Sequence, residues 1–354
     1  MLEIRPISVD ELRQAQSGLD GRVPVEQAPA WEKFAAALHH PLVERLMWLE
    51  DGRPVAVATL YQHEVRGAKF LWARRGPVWS KQPTPEREQE ALDLLRAYVS
   101  SKHKDIVFIR LHAWYQQEIL HTPMRVLGYD RTAIIDGARG NREAALAAMP
   151  SVGRKLVRRA KKLFGEAGGT ISEETGLSRE DFTEFYGLLV ETAERDGFTP
   201  HEEAYYWNML SALGPEHARL FSARVDGQLA CWDLVIVNGK NIGALFGASS
   251  AISRDTRATI LLDFEVACML AEEGKGGLDL MGVHSPSAPG LYSVGRYKLQ
   301  FVQNYTDVAG LWEMPVKPAV YGSIRAALRG RSAWRSASRR LRLLLDRSGE
   351  RRPN

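Results

Sequence analysis

The sequence has 354 residues, of which 45% are hydrophobic and 25% charged, so it has the composition of a folded globular protein with room for two domains. It contains no apolar stretch of membrane-spanning length, and its first residues lack the apolar run of a signal peptide, so the expected location is the cytoplasm. The two cysteines, Cys231 and Cys268, lie in apolar runs outside any nucleophile signature, which argues against a disulfide framework or a catalytic thiol.

The net charge of +4 comes from the end of the chain. Residues 318–354 contain ten arginines and two acids, a local balance of +8, so the preceding residues together carry −4. Within this tail, residues 331–347 have Trp334 and several leucines at helical spacing, with arginines around them. Such a pattern is typical of a helix on an anionic membrane surface, and it also suits an RNA contact or a helix packed on the first half of the chain.

The first half of the sequence predicts strands, then a helix, then another strand. Residues 45–80 contain alternating apolar positions and an Asp51-Gly52 turn, which indicate hairpins. Residues 84–102 predict a helix with Thr84 as N-cap and Pro85 at its first position. Residues 105–114 form an apolar run that predicts a buried strand.

The second half repeats this order. Residues 181–195 and 202–213 predict helices, and residues 218–249 predict three strands joined by an Asp-Gly turn and an Asn-Gly turn. A long apolar helix from residue 258 and a strand over 278–283 follow. We therefore predict an α/β (α+β) chain of two similar units, each with a mixed sheet flanked by helices.

This order of elements resembles the acyl-CoA N-acetyltransferase (GNAT) fold. In that fold a glycine-rich turn brings backbone N–H groups against the CoA pyrophosphate at the start of a helix. The equivalent stretch here, SSAISRDTRAT (249–259), contains no glycine and carries Asp255, and SKQPTPEREQ (80–89) in the first half is no better suited. We therefore expect that the CoA site has been lost in both units and that the protein uses no cofactor.

Six segments, taken in order, resemble the FemABX family of peptidoglycan aminoacyltransferases, whose members include FemX and MurM. They are VEQAPAWEKF (25–34), RRGPVW (74–79), TAIIDG followed by GRKLVRRAKK (132–137 and 153–162), ETAERDGF (191–198), ILLDFEVACMLAEEGKGGLDLMGV (260–283) and GRYKLQF (295–301). The resemblance implies two tandem GNAT-like units. The expected first unit, on the precursor side, comprises residues 1–140 and 311–354, and the expected second unit, on the aminoacyl-tRNA side, comprises residues 141–310.

The resemblance also implies a reaction: transfer of an amino acid from aminoacyl-tRNA to an amine of a cell-wall precursor, either UDP-MurNAc-pentapeptide or lipid II. The ester of aminoacyl-tRNA is already activated, so neither a metal nor a nucleotide triphosphate is required. A peripheral contact of the arginine-rich tail with the inner membrane leaflet would suit a lipid-linked acceptor. Three alternatives stay open: the same chemistry on a small-molecule amine, an acyl-CoA-dependent N-acyltransferase, and a non-catalytic RNA- or membrane-binding protein.

The catalytic candidates are Lys298 and Asp279. Residues 293–301 predict a strand with Tyr297 and Phe301 on one face and Lys298 on the other. The resemblance implies that Lys298 contributes to tRNA binding and catalysis, and a solvated strand lysine is the alternative. Asp279, at the end of a predicted strand, is a candidate for orienting the attacking amine or Lys298.

Five residues are candidates for substrate binding. Arg195, at the end of a predicted helix, and Arg75, in the RRGPVW turn, are candidates for binding precursor phosphate through a planar guanidinium. Asp233 is either a buried acid with a partner or a substrate contact. Tyr297 and Phe301 are either stacking partners for the terminal adenine or core residues.

The tRNA candidates lie on a predicted helix over residues 151–164. Val152, Leu156, Ala160 and Leu163 recur at helical spacing and are expected to face inward. The other faces carry Arg154, Lys155, Arg158, Arg159, Lys161 and Lys162. This basic surface is either a phosphate-backbone footprint for tRNA or simply a solvated face.

Overall fold

A computed structural model describes residues 1–18, 23–124, 126 and 128–328 of the chain. The predicted tail helix over residues 331–347 lies outside the described residues, as do most of the arginines of the tail. Among the described residues, no helix is both long and apolar enough to cross a membrane.

The first sheet forms from the hairpin strands and the buried strand predicted in the first half. Within the described residues it contains β1 (Leu2–Pro6), β2 (Leu42–Glu50), β3 (Arg53–Val65), β4 (Ala68–Trp72), β5 (Val78–Trp79), β6 (Phe108–Ala113) and β14 (Gly310–Pro315). The strand order is β1-β2-β3-β4-β6-β14, with β5 paired to β3, and only β4 and β6 are parallel. Asp51 and Gly52 both adopt positive φ, as the two-residue hairpin between β2 and β3 requires.

The second sheet has the same plan. Its described strands are β7 (Arg131–Ile135), β8 (Gly169–Glu173), β9 (Ala218–Val225), β10 (Gln228–Asn238), β11 (Asn241–Ser249), β12 (Leu278–Gly282) and β13 (Thr306–Asp307). Their order is β13-β7-β12-β11-β10-β9-β8, and only β11 and β12 are parallel. In each sheet, a helix connects the two parallel strands, so the repeated pattern predicted from the sequence is confirmed.

The helices cover the faces of these sheets. In the first half they are α1 (Val9–Ser17), α2 (Trp31–Ala37) and α3 (Pro85–Lys102), and residues 318–328 are also helical. The later helices are α4 (Arg142–Ala148), α5 (Ser151–Glu166), α6 (Arg179–Asp196), α7 (Glu203–His217), α8 (Ala251–Thr256), α9 (Ala258–Glu272) and α10 (Tyr292–Lys298). Thr84 caps α3 as predicted, since its side chain accepts a hydrogen bond from the N–H of Arg87.

The chain passes from the first sheet to the second and returns to the first. β7 follows the first sheet in sequence but pairs with β12 and β13 of the second, whereas β14 follows the second sheet and pairs with β6 of the first. The division between residues 140 and 141 stays a prediction, but strand pairing assigns β7 to the second sheet. The chain therefore crosses between the sheets twice, and this fixes one sheet relative to the other.

A shared apolar core also joins the halves. Trp31 and Phe34 of α2 are buried against the same cluster as Phe182 and Trp232 of the second half. The ring of Phe34 meets that of Tyr205 on α7 edge to face, with centroids 5.4 Å apart. The space between the sheets is thus walled by well-packed elements from both halves.

The predicted strand over residues 293–301 is wrong, because residues 292–298 form the helix α10. Tyr297 and Phe301 are four residues apart, and their rings pack edge to face at 5.6 Å, a contact that a helical turn provides. Gly295 allows the helix to approach the preceding loop, since a Cβ there would lie 2.9 Å from the backbone nitrogen of His284. The alternation of apolar residues that predicted a strand also places Tyr297 and Phe301 four residues apart, and this spacing is equally compatible with a helix.

The predicted inward face of α5 is correct in part: Ala160 is buried and Leu156 and Leu163 are partly buried, but Val152 is exposed. The buried positions are Gly153, Val157, Ala160 and Phe164, whereas Val152 is 62% exposed. Gly153 lies against the backbone of Gln300, where a Cβ would come within 1.9 Å of the carbonyl oxygen. A glycine at the closest approach carries no apolar signal, so the pattern of apolar side chains placed Val152 inside instead of Gly153.

Candidate active site

Two of the six segments that resemble FemABX proteins, VEQAPAWEKF (25–34) and RRGPVW (74–79), meet at the first sheet. The side-chain amide of Gln27 donates to the backbone oxygen of Arg74 at 2.7 Å and accepts from the N–H of Thr59 at 2.7 Å. A Cβ on Gly76 would lie 2.6 Å from the Gln27 side chain, so the glycine is needed for this packing. Gln27 therefore fixes the turn that presents Arg74 and Arg75.

These arginines face a large cavity between the two sheets, here called the interdomain cleft. Its volume is about 1210 Å³, and residues from both halves line it. Its positive groups are Arg74, Arg75 and Arg110, and its apolar wall includes Phe70 and Phe246. A cavity with several guanidinium groups and apolar walls suits an anionic ligand with a sizeable organic part.

The three arginines differ in their partners. Arg110 is ion-paired with the buried Glu313 at 2.5 Å, and Arg75 with Asp279 at 3.2 Å. Arg74 forms no ion pair among the described residues; its guanidinium lies 3.9 Å from the centre of the Trp72 ring. Burial lowers the pKa of Arg74, but an arginine keeps its proton at any working pH. Arg74 thus presents a guanidinium without an ion-pair partner among the described residues to the cleft, where the nearby charge of the buried Glu26 acts on it.

The histidines of the interdomain cleft do not add to this charge. Burial, together with nearby His40 and Arg74, lowers the pKa of His63 to about 2. Burial also lowers the pKa of His112 to about 4, although its ring hydrogen-bonds the backbone oxygen of Ala309. Both rings are neutral near pH 7, so the arginines alone provide the positive field of the cleft.

Asp279 lies at the point where the second sheet opens. The ladder between β11 and β12 covers only the pairs Ile242–Leu278 and Gly243–Asp279, and the strands diverge beyond it. Asp279 accepts hydrogen bonds from Arg75, from the hydroxyl of Thr132 and from the N–H of Met281. The three donors come from the RRGPVW turn, from β7 and from β12, and together they fix the carboxyl of Asp279 beside this opening.

A second cavity lies next to the interdomain cleft and is here called the carboxyl pocket. Its volume is about 360 Å³, and Leu245 and Phe246 of β11 line both cavities. Four of the predicted site residues and one acid that was not predicted line it: Arg195, Asp233, Tyr297, Lys298 and Asp263. The fold therefore brings together residues that are far apart in sequence at one small, polar site.

Lys298 ends α10 at the edge of the carboxyl pocket. Its Nζ donates to the backbone oxygen of Gly282, at the end of β12, at 3.0 Å, and it forms no ion pair with a described residue. Burial lowers the pKa of Lys298, and the charges of Asp279 and Asp263 oppose that shift. The result is a partly buried ammonium group held beside the opening between β11 and β12, rather than a solvated strand lysine.

Asp233 and Asp263 form a buried carboxyl pair in this pocket. They are 8% and 5% exposed, and their side chains hydrogen-bond to each other, which requires one of them to carry a proton. Burial and the neighbouring carboxyl raise the pKa of Asp233 well above its usual range, and burial raises that of Asp263 to about 6. The hydroxyl of Tyr297 donates to Asp263 at 2.5 Å.

The remaining predicted residues are dispersed. Phe301 is buried in the core of the second half and lines neither cavity. Arg195 lines the carboxyl pocket, but its guanidinium is engaged by Asp196 at 2.8 Å and by the backbone oxygen of Ser249 at 2.5 Å. Arg195 and Arg75, both candidates for precursor phosphate, therefore face different cavities.

The basic helix α5 presents most of its cations to solvent. Lys155, Arg158, Arg159, Lys161 and Lys162 are exposed. Arg154 instead folds back to donate to the backbone oxygens of Ala147 and Met149. Because Gly153 of α5 touches Gln300, the start of this helix lies close to the segment that follows Lys298.

Sequence reasoning missed Asp263 and Arg74. Asp263 stands in the apolar run ILLDFEV, and a carboxyl on the buried side of a helix was a signal that a partner would be needed. Arg74 was passed over in favour of its neighbour Arg75, and only the three-dimensional structure distinguishes the paired guanidinium from the unpaired one.

Comparisons with known proteins agree with this architecture. Residues 151–298 match a family model described as "Acetyltransferase (GNAT) domain". No curated protein has a sequence that matches this chain significantly. Two mixed sheets, each with one parallel pair joined by a helix, together with the matched domain define a tandem GNAT fold.

A solved structure with this arrangement is that of FemX. It is 16% identical to this chain, covers 91% of it and 99% of the FemX chain, and superposes with a TM-score of 0.69. The predicted resemblance to FemABX proteins is therefore confirmed at the level of the fold.

Two other solved structures superpose less closely. One is the C-terminal domain of a putative lysylphosphatidylglycerol synthetase from Agrobacterium fabrum, with a TM-score of 0.52, 13% identity and coverage of 91% of this chain and 97% of that one. The other is a conserved protein of unknown function from Bacteroides thetaiotaomicron, with a TM-score of 0.51, 11% identity and coverage of 89% and 99%. The matched domain and the shared fold together support assignment to the acyltransferases.

Proposed function

We propose that this protein is a tRNA-dependent aminoacyltransferase that transfers an amino acid from aminoacyl-tRNA to the amine of a peptidoglycan precursor stem peptide. The observation that carries the proposal is the pair of adjacent cavities, which share Leu245 and Phe246 of β11 as lining residues. In the proposal, the interdomain cleft binds the phosphate-bearing precursor, and the carboxyl pocket receives the aminoacyl end of the tRNA. The fold likeness to FemX supports this assignment.

Aminolysis of an ester requires the protein to position the amine and the ester and to stabilise the charge that develops. The precursor amine attacks the ester carbonyl, a C–N bond forms, the C–O bond to the ribose breaks, and the proton lost by the amine is balanced by one gained by the ribose oxygen. The tetrahedral intermediate carries a negative oxygen that a fixed cation stabilises. Lys298, partly buried and free of an ion pair among the described residues, suits that role.

Asp279 supports the same step indirectly. Its charge opposes the effect of burial on the pKa of Lys298 and so favours the ammonium form. Its ion pair with Arg75 also connects Asp279 to the interdomain cleft, which Arg75 lines. We therefore assign Asp279 to positioning and electrostatic support of Lys298.

The start of α9 is poorly suited to a CoA pyrophosphate. The stretch that precedes it is folded into α8, which Ser250 caps, and the side chain of Ser253 accepts the N–H of Thr259 at 3.1 Å. An N–H group that would face a pyrophosphate in a CoA-dependent enzyme is thus already used. This favours a donor other than a CoA thioester.

An acyl-CoA-dependent N-acyltransferase is the second candidate, because residues 151–298 match a GNAT acetyltransferase model. Calorimetry with acetyl-CoA distinguishes the two. Binding of acetyl-CoA at micromolar concentration would favour the second candidate, and the first predicts no such binding.

The direct test is a transfer assay with a panel of charged tRNAs and with UDP-linked and lipid-linked muramyl pentapeptide as acceptors. The proposal predicts that at least one charged tRNA yields a precursor heavier by one amino-acid residue, detected by mass spectrometry. The absence of product across the panel with both acceptors would remove the proposal.

A further inference from the structure

The carboxyl pocket contains a buried carboxyl whose protein partners are few. Oδ2 of Asp233 is buried, and apart from the proton that Asp233 shares with Asp263, no N–H or O–H group among the described residues is bonded to it. Gly247 faces this side chain, and a Cβ there would lie 2.6 Å from Oδ1 of Asp233, so the glycine leaves room for the carboxyl. A buried carboxyl pair with no donor beyond its own shared proton is costly unless a ligand supplies one.

The surroundings indicate what kind of ligand that is. Asp233 and Asp263 place two carboxyls on one wall of a cavity of about 360 Å³, and Lys298 lines the same cavity without pairing with either of them. The charges of Lys298 and Asp263 act on each other, but the two groups line the same cavity without an ion pair between them. The complementary ligand has an ammonium group at one end and an electron-rich oxygen at the other.

We propose that the Asp233–Asp263 pair is the binding site for the α-ammonium group of the amino acid that the protein transfers, with the adjacent carbonyl oxygen directed to Lys298. This inference rests on the proposed function and adds to it the recognition of the donor. An α-amino ester has its ammonium group one carbon away from the ester carbonyl, so one small cavity holds both.

The charge of the site favours the donor amine over the acceptor amine. An attacking amine must lose its proton, and a pair of carboxyls stabilises the protonated form, which is not nucleophilic. The α-amino group of the donor takes no part in bond formation and can stay charged throughout. A buried acidic pair therefore suits a group that is recognised, not one that reacts.

Binding of small amides tests the site without tRNA. The probes are L-amino acid amides with small, polar, acidic and basic side chains, each compared with its 2-hydroxy analogue, such as L-alaninamide with L-lactamide. Dissociation constants are measured by ligand-observed NMR for the wild type, Asp233→Asn, Asp263→Asn and the exposed control Asp255→Asn, after circular dichroism shows that each variant is folded.

The wild type and Asp255→Asn should bind at least one amino amide about ten-fold or more tighter than its hydroxy analogue, as expected for a charge-assisted hydrogen bond. In Asp233→Asn and Asp263→Asn the preference should shrink to about two-fold or less. The proposal is overturned if the wild type shows no preference or binds no amide, or if both Asn variants keep the preference.

Transfer from N-acetylaminoacyl-tRNA separates this inference from the proposed function. Acetylation removes the ammonium charge but leaves the ester intact. Equal transfer from acetylated and free aminoacyl-tRNA would exclude the ammonium-binding site but would support the proposed aminoacyltransferase activity. Selective binding of amino amides, with no transfer from any charged tRNA, would support the ammonium-binding site and exclude the proposed activity.

Discussion

At the scale of single residues, the carboxyl of Asp263 is buried where its charged form is destabilised. It faces Asp233, Tyr297, Lys298 and the thiol of Cys231, and its folded pKa of about 6 lies above the 3.8 of a free aspartate. The folded state therefore binds more protons than the unfolded state between these values, and its stability falls as pH rises from about 4 to 6. Groups that lower stability in this way are characteristic of functional sites.

Asp263→Asn should therefore stabilise the protein at neutral pH. Because burial raises the pKa of Asp263 in the folded state, the gain should be on the order of a few kcal/mol at pH 7 and close to zero near pH 4. Thermal or denaturant unfolding from pH 4 to pH 8 measures it, with Asp255→Asn as the exposed control. An Asn variant that is less stable than the wild type at pH 7 would contradict the assigned burial of the pair.

Arg74→Gln should weaken binding of a phosphate-bearing acceptor. Arg74 lacks an ion-pair partner among the described residues and faces the interdomain cleft, so its loss removes charge-assisted bonds to phosphate. The expected increase in KM for the precursor is about 10- to 100-fold. The exposed Arg53→Gln is the matched control, and an unchanged KM in Arg74→Gln would exclude Arg74 from the acceptor site.

Part of the site could be predicted from single residues. Lys298, Asp279 and Asp233 were named from the sequence. Lys298 and Asp233 line the carboxyl pocket, and Asp279 pairs with Arg75 of the interdomain cleft. Asp263 and the distinction between Arg74 and Arg75 depend on contacts between residues distant in sequence, such as the 204-residue separation of Arg75 and Asp279. Local patterns contain no information about such pairs.

At the scale of elements, the contact between α5 and the segment after α10 depends on one glycine. Gly153→Ala should place a methyl group 1.9 Å from the carbonyl oxygen of Gln300 and destabilise the protein by about 1–3 kcal/mol. Gly165→Ala in the same helix meets no atom within 4 Å and should be neutral or stabilising by up to about 1 kcal/mol. Equal effects of the two substitutions on the free energy of unfolding would argue against the close approach.

The exposed cations of α5 should contribute a salt-dependent part of tRNA affinity. Replacing Lys155, Arg158, Arg159 and Lys162 with glutamine should reduce the slope of log affinity against log salt concentration by about 2 to 3. The control replaces four exposed cations elsewhere, Lys33, Arg53, Lys81 and Lys104. If both variants have the wild-type slope, the basic face of α5 is only a solvated surface.

Elements with several concordant signals were predicted well, and elements with ambiguous periodicity were not. The helix α3 has a cap, a proline and an apolar stripe, and its predicted start is confirmed. In α10 the apolar residues 297, 299 and 301 fit a strand, while the pair 297 and 301 fits a helix. Packing of Gly295 against His284 decides between them, and that contact is tertiary.

At the scale of the whole molecule, the two similar units follow from the repeated order of elements. The resemblance to FemABX proteins placed residues 311–354 with the first unit, and β14 does pair with β6 of the first sheet. It also placed residues 131–135 with the first unit, whereas β7 pairs with β12 and β13 of the second sheet, because a short strand carries little information about which sheet it joins.

The most direct test of the central claim is the initial rate of amino-acid transfer from charged tRNA to the muramyl pentapeptide by the wild type, Lys298→Met and the exposed control Lys240→Met. Loss of a stabilising charge from the oxyanion is expected to lower turnover by about 10²–10³-fold in Lys298→Met, with Lys240→Met unchanged. A Lys298→Met enzyme that transfers at the wild-type rate would contradict the account.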